Sequence, residues 1–298
     1  MKIDVIIPYY NKSVYIKRAI DSIDFSKINK VYIIDDLSIE PIGEINNNVE
    51  IIRNENNRGP SYSRNIGAKL SDANYLLFLD ADDYFDMKLF DILNDILSVK
   101  NVPFISWKIE KVINSRFEIE AKRNPNIYEK ECYFYHVEKS KNNLVMSASS
   151  FCVRRDVFFE IGGFNESLRV QEDPEFFCRI SKEYQTIYID EVFSYYDISD
   201  EDSLSKINFK SITFPYYISS LKEDGSDYAM LLYRSEYLRY YFLSLLNKSN
   251  RNYKTFLKSE NISHISFIKR LIVFSSSIIP SFFYVRLYKL FRYFKYER

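Results

Sequence analysis

The 298-residue chain is 46% hydrophobic and 28% charged, with 41 basic against 41 acidic residues. That is enough for one large α/β domain with an appendage, or for two small domains, and a net charge of zero gives no reason to expect a nucleic-acid partner. The balance is uneven, because residues 251–298 hold ten Lys or Arg against only two acids, Glu260 and Glu297, a split that points to an anionic surface as the tail's partner.

Along the chain, residues 3–7 are apolar and β-branched and Pro8 ends them, which predicts a buried first strand. Val14, Ile16, Ala19, Ile20 and Ile23 recur at helical spacing, with Ser13 as the expected N-cap. Residues 31–34 predict a second buried strand ending in Asp35-Asp36, and residues 49–52 a third. Residues 60–71 read as a helix, and Tyr75 to Leu79 as a fourth strand. Alternating helices and continuous apolar strands predict a largely parallel sheet covered on both faces, with ligands at the carboxyl ends of its strands. The polar clusters 9–11, 35–38 and 80–83 fall at those ends. Further on, residues 102–120 and 145–154 carry strand-like segments and Gly162-Gly163 a turn. Residues 171–175 open a helix running to about Tyr184; short strands at 186–189 and 192–196 follow, and from about 206 the pattern is helical.

Three cysteines, Cys132, Cys152 and Cys178, are neither paired nor spaced as a zinc site, and read as thiols of a reducing compartment. The first apolar run is too short for a signal peptide and carries Asp4, so the expected location is cytoplasmic.

The chemistry concentrates in acidic clusters. Asp80 and Asp82 flank Ala81 just after a buried strand, and if the backbone stays extended there, alternation puts both carboxylates on one side. Paired oxygen ligands suit Mn²⁺ or Mg²⁺, which keeps waters and takes diphosphate oxygens as its remaining ligands. By itself such a pair is equally a solvated acidic turn. Six pieces together are more specific: 5–11 (VIIPYYN), 34–38 (IDDLS), 57–67 (NRGPSYSRNIG), 78–83 (FLDADD), 162–166 (GGFNE) and Glu172-Asp173. In this order and with these gaps, they resemble the family 2 inverting glycosyltransferases of bacterial surface-polysaccharide synthesis, across roughly residues 1–205.

The resemblance implies a GT-A fold: a Rossmann-like, mostly parallel mixed α/β sheet with helices on both faces over 1–205, and a helical C-terminal region over 206–298. It implies that Pro8 and Tyr9 line the nucleotide, that Asp36 accepts the uracil imide hydrogen, and that Arg64 lies near base and diphosphate. Asp80 and Ala81 would meet the nucleotide-sugar, with Asp82, helped by Asp80, holding the metal. Asp173 would be the general base, with Glu172 its rival. One departure stands out. Many relatives carry a His before the Ser-x-Ser after the last strand, and here Asp200 takes that place, either as a third metal ligand or with the contact absent.

Residues 271–285 carry no charge but are too few to span a bilayer, and Arg286, Lys289, Arg292 and Lys295 then recur every third residue among aromatics. Such a segment suits peripheral attachment to an anionic membrane, or else packs on the domain or in a homodimer contact. The implied activity is inverting, metal-dependent transfer from a UDP-sugar, with a dTDP-sugar sharing the same imide. The acceptor would be a hydroxyl of a lipid-linked glycan in O-antigen, capsule or lipooligosaccharide synthesis. The alternatives are a non-catalytic assembly subunit that keeps the fold and a sugar nucleotidyltransferase, though Asn11-Lys12-Ser13 does not resemble the phosphate loop the latter needs.

Overall fold

The computed structural model describes residues 1–40, 42–43, 45, 48–112, 125–130, 147–169 and 171–198, with Met230, Phe283 and Arg286 as isolated positions. The chain divides into two compact units, Met1–Glu201 and Asp202–Arg298, and every element below belongs to the first. Asp200, Cys132 and the continuous basic aromatic tail lie outside the described residues.

The strands are β1 (Ile3–Tyr9), β2 (Lys30–Asp35), β3 (Val49–Arg53), β4 (Tyr75–Phe78), β5 (Tyr84–Phe85), β6 (Phe104–Val112), β7 (Ile127–Lys130), β8 (Phe151–Arg154) and β9 (Thr186–Asp197). They form one sheet in the order β3-β2-β1-β4-β8-β6-β9-β5, with β7 also paired to β9. The half containing β3, β2, β1 and β4 is parallel. Beyond β4, strand β8 enters antiparallel to both β4 and β6, and β6 and β9 run parallel. The fold is therefore the mixed α/β sheet that the motif order implies.

The helices are α1 (Ser13–Asp21), α2 (Pro60–Leu70), α3 (Lys88–Val99), α4 (Arg155–Glu160) and α5 (Glu172–Glu183). Side-chain alternation along β1 sends Ile3, Val5, Ile7 and Tyr9 into a core shared with Ile16 and Ile20 of α1 and Leu89, Phe90 and Leu93 of α3. The opposite face takes α2, whose Gly67 sits against Ile6. Further along that face, phenylalanines interlock. Phe78 meets Phe164 edge-on at 5.3 Å, and Phe164 stacks on Phe176 of α5 at 4.8 Å. Each such pair contributes about 0.5–1.5 kcal/mol beyond its area burial.

Several local expectations need correction. Ser13 opens α1 rather than capping it; Lys12 holds the N-cap without a side-chain bond, and Val14 is 83% exposed. The strand at 49–53 is the sheet's edge, so Glu50 and Ile51 are exposed instead of buried. The two short strands expected after α5 are one strand, β9. Pairing passes from Trp107–Ile189 to Lys108–Val192, so Asp190 and Glu191 bulge out and Asp190 meets Lys108 at 2.7 Å. A bulge lets two acids interrupt an apolar run without ending the strand. Finally, α3 is absent from the expectations above, although Leu89, Phe90, Leu93, Ile96 and Leu97 mark an ordinary buried helix face.

Gly67 sets how closely α2 approaches the sheet, because a Cβ there would lie 2.4 Å from Cγ2 of Ile6. The variant Gly67→Ala is expected to lose about 1–3 kcal/mol of stability through overpacking, measured by urea denaturation. A wild-type midpoint would show that the helix–sheet spacing is not fixed at this residue.

Candidate active site

In the parallel half, the chain leaves β1 through α1 toward β2 and returns through α2 to β4, on the other side of β1. The order thus reverses between β1 and β4, and open α/β sheets bind ligands at the carboxyl ends beside such a reversal. The segments meeting there are 10–12, 36–38 and 80–83. The non-glycine residues with positive φ among the described residues are Asn11, Leu37 and Gln171. All three border this region, as strained backbone at functional sites commonly does.

The backbone at 80–83 is not extended. The Asp83 N–H bonds the Asp80 carbonyl at 3.0 Å, closing a turn. That turn is gripped from both faces of the sheet. From α2, the buried Arg64 forks, with one nitrogen 2.5 Å from Asp80 and the other 2.8 Å from Glu172. Phe164 lies under the guanidinium at 5.1 Å. Burial works against the charge on Arg64, and the two carboxylates more than offset it. From the α1 side, Lys12 reaches Asp82 at 3.0 Å. Arg18 donates to the Asp82 carbonyl and to the buried Asp197 at the end of β9, each at 2.6 Å. From below, Ser149 accepts the Asp80 N–H and donates to Asp83.

The charges at the turn are closely coupled. Burial and the Asp80 and Asp82 charges push the Asp83 carboxyl well above the ordinary carboxylate range. Burial also raises Asp82, with Lys12 opposing and Asp80 adding. A cluster whose members resist ionising side by side favours a cation. Asp80 and Asp82 are hard oxygen donors and fit Mg²⁺ or Mn²⁺, which needs only one or two carboxylates besides phosphate and water. Among the described residues, no group of three His, Cys, Asp or Glu is arranged to hold a metal alone.

Glu172 and Asp173 open α5, whose N-terminal turn favours acidic side chains. They are not equivalent. Glu172 is committed to Arg64, whereas among the described residues only Asp173's own backbone N–H engages its carboxylate. Burial and the Glu172 charge hold the Asp173 carboxyl well above its usual range, against the pull of Arg64. The segment carrying this pair is tied to α2 by Asn65, which bonds both the N–H and the carbonyl of Phe164 at 2.9 Å and Glu166 at 3.0 Å.

Other expected residues sit differently. The Tyr9 ring is 1% exposed, because strand alternation turns it into the α1 core; Pro8 is half-buried and Tyr10 is 46% exposed at the strand end. Ala81, 3% exposed, also faces the core. The Asp36 carboxylate accepts from Asn54 and from the backbone N–H groups of Arg58 and Gly59, so it fastens loop 54–59 at the end of β2. Asp35 accepts from the Ser38 N–H and from Arg53, a scaffold role. Asn65 lies in the 57–67 motif without an assigned role, and Lys12, Arg18, Ser149 and Asp197 are not among the expected site residues. Of these four, Arg18 offers a signal, as a cation on a helix leaving the first strand.

Removing the Arg64 fork leaves Asp80 and Glu172 without the cation they share. Arg64→Met is expected to cost about 3 kcal/mol at neutral pH, the lower end for a broken buried pair because Asp80 is 28% exposed. Guanidinium denaturation measures this, and a loss under 1 kcal/mol would mean the fork is not structural.

Residues 4–162 match Glycosyl transferase family 2. A glycosyltransferase of Haemophilus influenzae is 29% identical over 188 residues, 61% of this chain and 62% of that protein. The minor teichoic acid biosynthesis protein GgaA of Bacillus subtilis is 27% identical over 81% of this chain and 58% of its own length. The chain thus spans about three fifths of these two relatives. The crystal structure of Staphylococcus aureus TarS 1-349 in complex with UDP-GlcNAc aligns with a TM-score of 0.56 and 18% identity, over 91% of this chain and 78% of that one. With more than half its length matched, the chain belongs to glycosyl transferase family 2.

Proposed function

We propose that the protein transfers a sugar from a UDP-sugar to a hydroxyl of a bacterial surface polymer, inverting the anomeric centre in a single displacement assisted by Mn²⁺ or Mg²⁺. The observation that carries this is the Arg64 fork, which commits Asp80 and Glu172 and leaves Asp173, among the described residues, as the neighbouring carboxylate that no other side chain hydrogen-bonds. The acceptor oxygen bonds to the anomeric carbon as its proton passes to Asp173, and the bond from that carbon to the diphosphate breaks to release UDP. Attack opposite the leaving group turns an α-linked donor into a β-linked product. A carboxyl with raised proton affinity is better matched to this work than an ordinary aspartate. Glu172, held by Arg64, orients its neighbour. The metal, when bound at Asp82 and Asp80, supplies charge neutralisation for the departing diphosphate.

TarS structures with UDP and UDP-GlcNAc support a uridine donor here. The name of GgaA supports a cell-wall polymer as acceptor, alongside the O-antigen, capsule and lipooligosaccharide glycans the motifs imply. Among the described residues no helix is long and apolar enough to cross a membrane. Attachment of residues 267–298 to an anionic surface is part of this reading, supported by their sequence. Their deletion is expected to release the protein from phosphatidylglycerol liposomes, and undiminished co-sedimentation of the truncated chain would refute it.

The role of Asp173 is tested in a panel of UDP- and dTDP-sugars scored by nucleotide release, beginning with UDP-GlcNAc. Asp173→Asn is expected to lower kcat at least about 100-fold while UDP affinity stays within about twofold. Asp173 works ionised and its proton affinity is raised, so kcat/KM falls as pH drops through a midpoint above about 3.9, the ordinary aspartate value. Normal turnover by Asp173→Asn, with loss in Glu172→Gln instead, would reverse the assignment.

A further inference from the structure

Lys12 has no part in the reaction as written, yet its ammonium sits 3.0 Å from the carboxylate proposed to hold the metal. The pair is sheltered, with side chains only 19% and 13% exposed. Its placement is imposed by the backbone. Before it, Asn11 is locked to the β2 end, its N–H to the Ser38 hydroxyl and its side chain accepting from the Ile39 N–H. After it, the Lys12 carbonyl accepts from Tyr15 and Ile16, fixing the start of α1. The side chain then passes near the Tyr15 ring, at 5.9 Å from its centroid.

The two cations paired with carboxylates of the turn, Arg64 and Lys12, differ in kind. Arg64 is buried and bound on both prongs of its fork, so it stays with Asp80. Lys12 offers a point charge on a flexible four-carbon stem and can withdraw. A divalent cation and an ammonium cannot both sit against one carboxylate without strong repulsion. We infer that Lys12 is a resident counter-ion of Asp82, and that divalent metal enters this site by exchange with it. The inference rests on the metal reading above. It gives Lys12 a specific consequence: the side chain lowers metal affinity in the free protein while keeping the acidic turn together before metal arrives.

The test is direct Mn²⁺ binding, measured on the full chain from the electron paramagnetic resonance signal of free Mn²⁺, with and without UDP. Asp82→Asn identifies the site by losing the bound ion. Lys12→Met, of similar length and uncharged, is expected to bind Mn²⁺ at least threefold more tightly than wild type without UDP, and to gain more thermal stability from Mn²⁺. Lys12→Arg, whose fork holds a carboxylate more firmly, is expected to bind more weakly, and being charged it keeps the test open if Lys12→Met does not fold. Equal affinities in all three, or weaker binding in Lys12→Met, overturns the exchange. If wild type binds no Mn²⁺ with or without UDP, the metal reading falls and the exchange with it. Mn²⁺ bound by wild type but unaffected by position 12 removes the exchange alone.

Discussion

Everything at this site depends on one guanidinium. Arg64 joins the turn after β4 to the start of α5, two segments about ninety residues apart in sequence, and it does so from a helix lying on one face of the sheet. A planar fork can hold two carboxylates at a fixed separation, which a lysine cannot. Its position is supported by packing: Phe164 beneath it belongs to the same aromatic cluster that attaches α4 and α5 to the sheet. The core and the chemistry therefore share a residue, and the spacing between the acidic turn and Asp173 is set by the packing of the domain.

The turn itself illustrates how a protein keeps several acids together. Three carboxylates within four residues are opposed by Arg64 from one face and by Lys12 and Arg18 from the other, with Ser149 below. Their mutual repulsion persists in the raised proton affinities of Asp82 and Asp83. Such a turn is stable as a protein structure yet still favours an added positive charge.

Much of this was legible in the sequence, and the reasons for success and failure are physical. Buried parallel strands read clearly because both faces are apolar, as with Val5-Ile6-Ile7 and Tyr75 to Phe78. The edge strand β3 misled because its apolar residues look the same whether or not a neighbour covers them. The acidic residues were found because ordered motifs mark them. Their partners were not, since nothing local in sequence says that Arg18 will meet Asp197, or that Ser149 will lie under Asp80 and Asp83. Tyr9 and Asp36 show the limit of motif reading. A position in a motif does not say which way a side chain points or which partners it also holds, and here one ring is in the core and one carboxylate also fastens a loop.

The Asn65–Gly163 contact has a further consequence for how this sequence can vary. A Cβ at position 163 would lie 2.8 Å from the Asn65 oxygen, and the backbone there has φ +64. The same oxygen holds the Phe164 N–H. A side chain at 163 would therefore need both a tolerated left-handed backbone and a different residue at 65, which in turn would release Phe164 and the base on which Arg64 rests. The effect of a side chain at 163 therefore depends on which residue stands at 65, so substitutions at the two positions are expected to be non-additive.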